Sequence, residues 1–534
     1  MLIRRAAVLD GSGADAQVAD VRIEAGTVVA VAPSLAPAPD EEVLDADGLC
    51  LAPGFVDLHS HSDLWSVVPG PDGAPIGDVP KLLQGCTFQV FGQDGISAAP
   101  IAEHDDDFRG FQAGLNGRLP EEHWTWRSFA GYLAALQRTC STRATSLVGH
   151  ATVRRHVMGM ARREPTAAEI AAMQDALREA FAAGACGFST GLVYVPAAYA
   201  TTAEVHALAE VVAEHDLPFF VHVRSESEQV IEASEEVIGV SAETGCHLHY
   251  SHIKCAGRTN WHKAGELLDL IAAAHADGVR ITADIHPYTA GSTTATILLP
   301  PWAHEGGREE MLRRLHDPTV RERLRRELLD DTTSWDNWWV FSDGWDGLKI
   351  AQADRPGVVG RYLRDVLADA GHDDLHSPEA FDEFFDLMVE ERLEMTIVSF
   401  NNVEDNVVRF FSQPWCSVGT DGVVAPDGHP HPRLYGTFPR VLGRFVRQLG
   451  ATDLPDAVRK CTSQAADVVR AQAAGRLRVG APADLVLFDA DRIIDRATYE
   501  EPRLAPLGVE GVWVGGRRVV DGGTLVAAAV APAA

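Results

Sequence analysis

Along this chain, apolar and β-branched residues gather in short runs that end in polar residues, at intervals long enough for a helix to cross back. Such runs at 54–61, 87–92, 145–150, 186–191, 218–224, 247–254, 280–288 and 417–421 predict buried parallel strands, which read as near-continuous apolar segments. Helical patterns lie between several of them. The stretch 166–183 opens on Thr166 with Glu169 three residues on, a capping box, and 202–215 also begins at a capping threonine. Strand then helix, repeated eight times, predicts an α/β fold built on a (β/α)8 TIM-like barrel, with its chemistry at the strands' C-terminal ends.

Outside that region the pattern changes to short alternating strands with turns, as at 19–31, 483–488 and 511–517. Neither chain end holds enough of them to bury a core alone. The ends are therefore predicted to pair into one small flanking β-sandwich, residues 1–53 and 475–534 being its two halves and 54–474 the barrel. More than a hundred residues separate the seventh and eighth strands, too many for a loop. An inserted subdomain is predicted at about 303–395, rich in charge and tryptophan.

Composition narrows the function. The 534 residues carry a formal net charge of −30, which disfavours nucleic acid and anionic membrane as partners and points to a small-molecule substrate. Eight cysteines without a CxxC pair argue for free thiols in a reducing compartment. The first apolar run is too short for a signal segment, and nothing approaches the roughly 20 apolar residues of a membrane span. A cytoplasmic enzyme is expected; oligomeric state is unreadable.

The segment from Pro53 to Asp63 ends a strand on His59 and His61. Residues two apart on a strand point the same way, so both imidazoles can reach one ion. Other run ends carry Asp94, His222, His252 and Asp421. Each alone is an ordinary polar residue; six at the mouths of barrel strands predict a metal site. Imidazole and carboxylate suit zinc, one ion or two, although another divalent metal is possible. A carboxylate beside the reacting water, here Asp421, can take its proton and pass it to a leaving amine. That set favours metal-assisted amide hydrolysis.

Several segments together resemble the amidohydrolase superfamily, and more closely its N-acyl-D-amino-acid deacylase (D-aminoacylase) family. They include PGFVDLHSHSD from Pro53, GQDGISAAP from Gly92, GFSTGLVYVP from Gly187, HVRSE from His222, SHIK from Ser251 and the Gly291-Ser292-Thr293 stretch. GTDG from Gly419, HPRLYGTFP from His431 and GAPADLV from Gly480 complete the set. HxH and GTDG mark only the superfamily; GFSTGLVYVP, SHIK and the HPRLYGTFP segment are more specific. The resemblance implies a tightly held zinc on His222 and His252 plus a residue after strand two, a second metal position at His59 and His61, and Asp421 as catalytic acid/base. It further implies that Lys254, Arg433 and Tyr194 hold the substrate carboxylate, which answers how so negative a chain would bind an anion. Ser292 and His286, the latter where relatives commonly carry tyrosine, join the candidate substrate-binding set. Where many relatives carry cysteine this chain has Asp94, a harder donor that can bridge two metals.

The activity expected is hydrolysis of N-acyl-D-amino acids to a carboxylate and a free D-amino acid, with apolar side chains favoured because the clear cations are already assigned to the α-carboxylate. Alternatives are cyclic-amide opening or aminopyrimidine deamination on the same scaffold, and a non-enzymatic scaffold. Cyclic amidases usually carry a carboxylated lysine at strand four, and 187–196 has none. Duller readings attach to His247 and His249 as packing, His429 and His431 as rim residues, Cys86 as a core thiol and 103–107 as a solvated acidic loop. Glu226 either orients His222 or forms a plain salt bridge. Trp335, Trp338 and Trp339 either close over an acyl group or form core.

Overall fold

Parallel strands occupy all eight predicted runs in the computed structural model, which describes residues 1–102, 105, 107–330 and 335–526. Phe55–Asp57 pairs with Cys86–Phe91, which pairs with Arg143–Ser146. The same segment continues as Val148–Gly149, and from it the ladder runs in chain order through Phe188–Gly191, Pro218–His222, His247–Tyr250, Ile281–Ile285 and Cys416–Val418. Beyond the eighth strand, Gly422–Val423 pairs in parallel with Ser60–His61, so the last run meets the first. The Asp421 amide donates to the His59 carbonyl at 2.7 Å across this seam. Gly419 permits the approach: a Cβ there would lie 2.5 Å from the His59 Cβ.

The crossover helices begin where local chemistry starts them. Thr166 and Glu169 form the capping box of helix Ala167–Ala182, satisfying amide donors that a first turn leaves open. Helix Thr202–Glu214 is capped by Thr201, whose hydroxyl accepts from the Glu204 amide, one residue before the expected threonine. Both pack apolar faces such as Met173, Leu177, Val205 and Leu208 into the main core.

The chain ends meet in one nine-stranded sheet. Its seam is the antiparallel pair Cys50–Pro53 and Leu485–Phe488, and Ile3, Val21, Leu51, Leu485 and Trp513 form a separate apolar cluster on it. Between the seventh and eighth parallel strands, Ala290–Thr294, Thr396–Phe400 and Leu348–Gln352 make a three-stranded antiparallel sheet. Two of its strands, Ala290–Thr294 and the central Thr396–Phe400, lie just beyond 303–395, because the chain leaves and re-enters side by side. Helices Arg308–Leu315 and Pro378–Glu390 pack there over a core of their own. Trp338 and Trp339 are buried in that core beside Trp345 and Phe381. Asp336 ties the insertion to the loop after the fifth strand, accepting from Ser225 Oγ, Ser227 Oγ and the Glu226 amide. Burial pushes its carboxyl up to about 6 against those donors.

Of the acidic run 103–107, residues 103, 104 and 106 lie outside the described residues. Asp105 does not behave as a freely solvated carboxylate, since it pairs with buried Arg155.

Candidate metal centre and substrate pocket

Two donor groups lie side by side at the C-terminal ends of the strands: His59, His61, Asp94 and Asp421 in one, Asp94, His222 and His252 in the other. Asp94 belongs to both. Ligands at about 2.1 Å from one tetrahedral ion lie roughly 3.4 Å apart. In the first group His61 Nε2 is 3.4 Å from Asp421 Oδ1 and 3.5 Å from Asp94 Oδ2, and His59 Nε2 is 3.7 Å from Asp94 Oδ1 and 3.8 Å from Asp421 Oδ1. In the second, Asp94 Oδ1 is 3.4 Å from His252 Nε2 and 3.8 Å from His222 Nδ1, and the two imidazole nitrogens are 3.0 Å apart. His59 Nε2, both His61 ring nitrogens and Asp94 Oδ1 are buried without a hydrogen-bond partner. Buried polar atoms are seldom left so; these residues fit a divalent cation.

The backbone supports the same reading. Asp94, His252 and Asp421 have φ of 52°, 33° and 49°, a left-handed conformation that costs non-glycine residues energy and persists where the surroundings enforce it. Under Asp421 the enforcement is visible: Asp57 accepts from the Thr420 amide and hydroxyl and from buried Lys81. Breaking a buried ion pair costs about 3–5 kcal/mol, so the turn presenting Asp421 is locked from below.

Charge is arranged to keep carboxylates ionised in a buried place. Burial would raise Asp421, but Arg433 and His61 hold it well below the usual range. Asp94 is likewise held low against burial by His252 and His59. Burial pushes His222 down to about 4, leaving it a neutral donor. His252 is opposed by burial and Lys254, yet Asp94 and Glu226 raise it to about 9.

Around the donors stand the candidate substrate residues. Arg433 is fully buried; Nη1 donates to Asp421 Oδ2 at 2.7 Å, Nη2 to the Ser292 carbonyl at 3.2 Å, and Nε has no partner. Lys254 Nζ donates to Glu226 Oε1 at 2.6 Å and lies 2.7 Å from His252 Nδ1. Tyr194 sets its ring edge-on to His222 and bonds Thr293 Oγ1 at 2.9 Å. His286 turns Nε2 to 3.9 Å from Asp421 Oδ2, both ring nitrogens being buried and unpartnered. Ser292 is buried on the strand beside Arg433. Every candidate from the sequence thus lies in one network.

Some roles shift. Glu226 lies 3.2 Å from His252 Nδ1 but 3.8 Å from His222 Nε2, so it backs His252 and Lys254 rather than orienting His222. His431 is a buried acceptor for the Arg433 amide, not a rim residue, while His429 bonds the Tyr499 carbonyl. Cys86 is fully buried, with a thiol that burial pushes far up. Asp284 and the Lys81–Asp57 pair were missed. Asp284 lies within strand Ile281–Ile285, two residues before His286, so strand alternation, which faces it with His286, was the signal for it.

Beside Tyr194 opens a cavity of about 200 Å³ walled by Ile96, Phe111, Leu192, Ile297, Met311 and Trp335 among others. Three arginines also touch it, and each is paired: Arg155 with Asp105, Arg224 with Glu236, Arg308 with Glu394.

A profile described as the amidohydrolase family matches residues 42–333 and 388–520, leaving out 1–41, 334–387 and 521–534. The chain belongs to the amidohydrolase family. Within it, this chain is a member of the N-acyl-D-amino-acid deacylase branch. It is 35% identical to an N-acyl-D-glutamate deacylase of Alcaligenes xylosoxydans xylosoxydans over 95% of this chain and 91% of that one. It is 33% identical to a D-aminoacylase of the same organism, over 97% and 94%. The crystal structure of an N-acyl-D-glutamate deacylase from Bordetella bronchiseptica, complexed with zinc and a phosphonate mimic of the tetrahedral intermediate, superposes with a TM-score of 0.79 at 35% identity, covering 98% of this chain and 97% of that chain.

Proposed function

We propose that this protein is a zinc-dependent hydrolase of N-acyl-D-amino acids, releasing a carboxylate and a free D-amino acid. The observation that carries the reading is the pair of donor groups sharing Asp94, one of them containing ionised Asp421, to which Arg433 donates. Zinc held by Asp94, His222 and His252, with His59 and His61 as a second position, supplies a Lewis acid for the acyl carbonyl and lowers the pKa of nearby water. As water adds to the acyl carbon, Asp421 Oδ1, the oxygen not engaged by Arg433, takes its proton. The same oxygen then delivers the proton to the amide nitrogen as the C–N bond breaks.

The α-carboxylate is assigned to Arg433 and Lys254. Arg433 keeps an unpartnered Nε, and Lys254 has N–H donors beyond the one given to Glu226. Tyr194, Ser292 and His286 complete the cradle. We read the eight parallel runs as a closed barrel spanning 54–474 with the inserted unit at about 303–395, and the terminal segments 1–53 and 475–534 as a β-sandwich domain. All eight cysteines are free and no described helix is long and apolar enough to cross a membrane; a cytoplasmic location agrees with both.

An apolar side chain is preferred, because apolar residues dominate the described walls of the cavity beside Tyr194 and its arginines, Arg155, Arg224 and Arg308, each already face a carboxylate, Arg308 keeping only its Nε unpartnered. A second carboxylate buried there loses hydration and competes with those pairs. N-acetyl-D-leucine, -methionine and -phenylalanine should therefore exceed N-acetyl-D-glutamate in kcat/KM by about 10- to 100-fold. Comparing kcat/KM across the panel tests this, and faster turnover of the D-glutamate derivative sinks it.

A further inference from the structure

A polar chain runs inside the sheet from the opposite end of the strands to the donor groups. It begins at His247, which lines a cavity of about 650 Å³ together with Thr282 and Arg476. His247 Nε2 lies 2.9 Å from Thr282 Oγ1, and His249 Nδ1 lies 2.8 Å from the same hydroxyl. His249 Nε2 is 2.9 Å from Asp284 Oδ2, and His59 Nδ1 is 3.3 Å from that oxygen. Asp284 Oδ1 accepts the His252 amide at 2.8 Å. His249 and Asp284 are fully buried.

The direction of every bond follows from one group. An ionised carboxylate only accepts, so both His249 Nε2 and His59 Nδ1 must carry protons toward Asp284. A neutral His249 with its proton on Nε2 has Nδ1 free to accept, and the Thr282 hydroxyl must donate to it. With its single proton committed, Thr282 can only accept from His247 Nε2–H. Each residue therefore fixes the tautomer of the next, and the end result is a lone pair on His59 Nε2 aimed at Asp94 and Asp421.

We infer that Asp284, held in place by His249 and Thr282, is a positioning residue that sets the tautomer of His59 and with it the affinity of the His59, His61, Asp94 and Asp421 group for its metal. The inference rests on the reading of His59 as a ligand. It gives His249 a role that packing alone would not: the imidazole supplies Asp284 with a donor that a phenyl ring could not. Partners of ligating histidines commonly act this way.

In Asp284→Asn, the amide oxygen can still accept from His252, which turns the NH2 group toward His59 Nδ1 and His249 Nε2. Donor then meets donor, and His59 relieves the clash by moving its proton to Nε2, the nitrogen needed for metal. Titration of the protein with zinc against a chromophoric chelator should show two ions per chain in the unsubstituted protein. In Asp284→Asn the weaker should bind about 10- to 100-fold less tightly, with the tighter unchanged. Thr282→Val is nearly isosteric and keeps the fold; loss of its hydroxyl should weaken the same ion roughly fivefold. Histidine-selective ¹⁵N spectra of the zinc-loaded protein should show His249 as a single Nε2–H tautomer, retained in Thr282→Val because Asp284 still accepts from it, and lost in Asp284→Asn, whose amide NH2 faces Nε2. A single zinc per chain in the unsubstituted protein, equal affinities in Asp284→Asn, or His249 with its proton on Nδ1 overturns the inference. None of these readouts uses substrate, so they stand apart from the assigned hydrolysis.

Discussion

Asp421→Asn is expected to lower kcat by about 10²- to 10⁴-fold, the range general acid–base catalysis supplies, while zinc stays bound to Asp94, His222 and His252. An amide cannot take a proton from the attacking water, yet it keeps the shape and the acceptor that Arg433 Nη1 needs. The turn that carries it is held by Lys81, Asp57 and Thr420, so the substitution acts on chemistry and not on folding. Metal analysis alongside steady-state kinetics separates the two effects. Turnover near that of the unsubstituted enzyme, with metal intact, rules out Asp421 as the proton carrier.

The second large effect falls on Asp94. It is the one residue common to both donor groups, so Asp94→Ala should empty both positions of zinc and abolish hydrolysis. Asp94→Cys should restore metal, since thiolate is a competent and softer zinc ligand. The cysteine must adopt the left-handed backbone found there, at a cost of about 1–3 kcal/mol. Zinc content per chain and kcat, measured on both variants, decide the matter: an alanine variant that keeps its full zinc places the metal elsewhere.

Much of this architecture was legible because it rests on short-range rules. Parallel strands buried on both faces leave apolar runs, and the polar residues ending them mark one rim, so His59, His61, Asp94, His222, His252 and Asp421 could be named from position alone. What stayed hidden depends on long-range partners. Lys254 reads as a free cation in SHIK, and only the fold brings Glu226 against it. His247 and His249 alternate as packing residues do, and nothing local reveals Thr282 and Asp284 on the neighbouring strand. The seam between the chain ends is similar: its two strands lie more than four hundred residues apart in sequence, and pairing them needed the argument that neither half could bury a core.

Charge carried the functional argument further than composition alone allowed. A chain of net charge −30 binds an anion only if cations are concentrated where the anion sits. Arg433 and Lys254 are both buried beside ionised Asp421 and Glu226, so their hydrogen bonds fix their direction, and Arg433 keeps a buried Nε without a partner. Bidentate geometry at such an arginine supplies orientation as well as energy.

The most direct test of the central claim is amine release from paired N-acetyl-D- and N-acetyl-L-amino acids by zinc-loaded enzyme, with a chelated sample in parallel. Release from the D-series alone, lost on chelation and regained with zinc, is the result predicted. Equal hydrolysis of both series, or release that survives chelation, would contradict it.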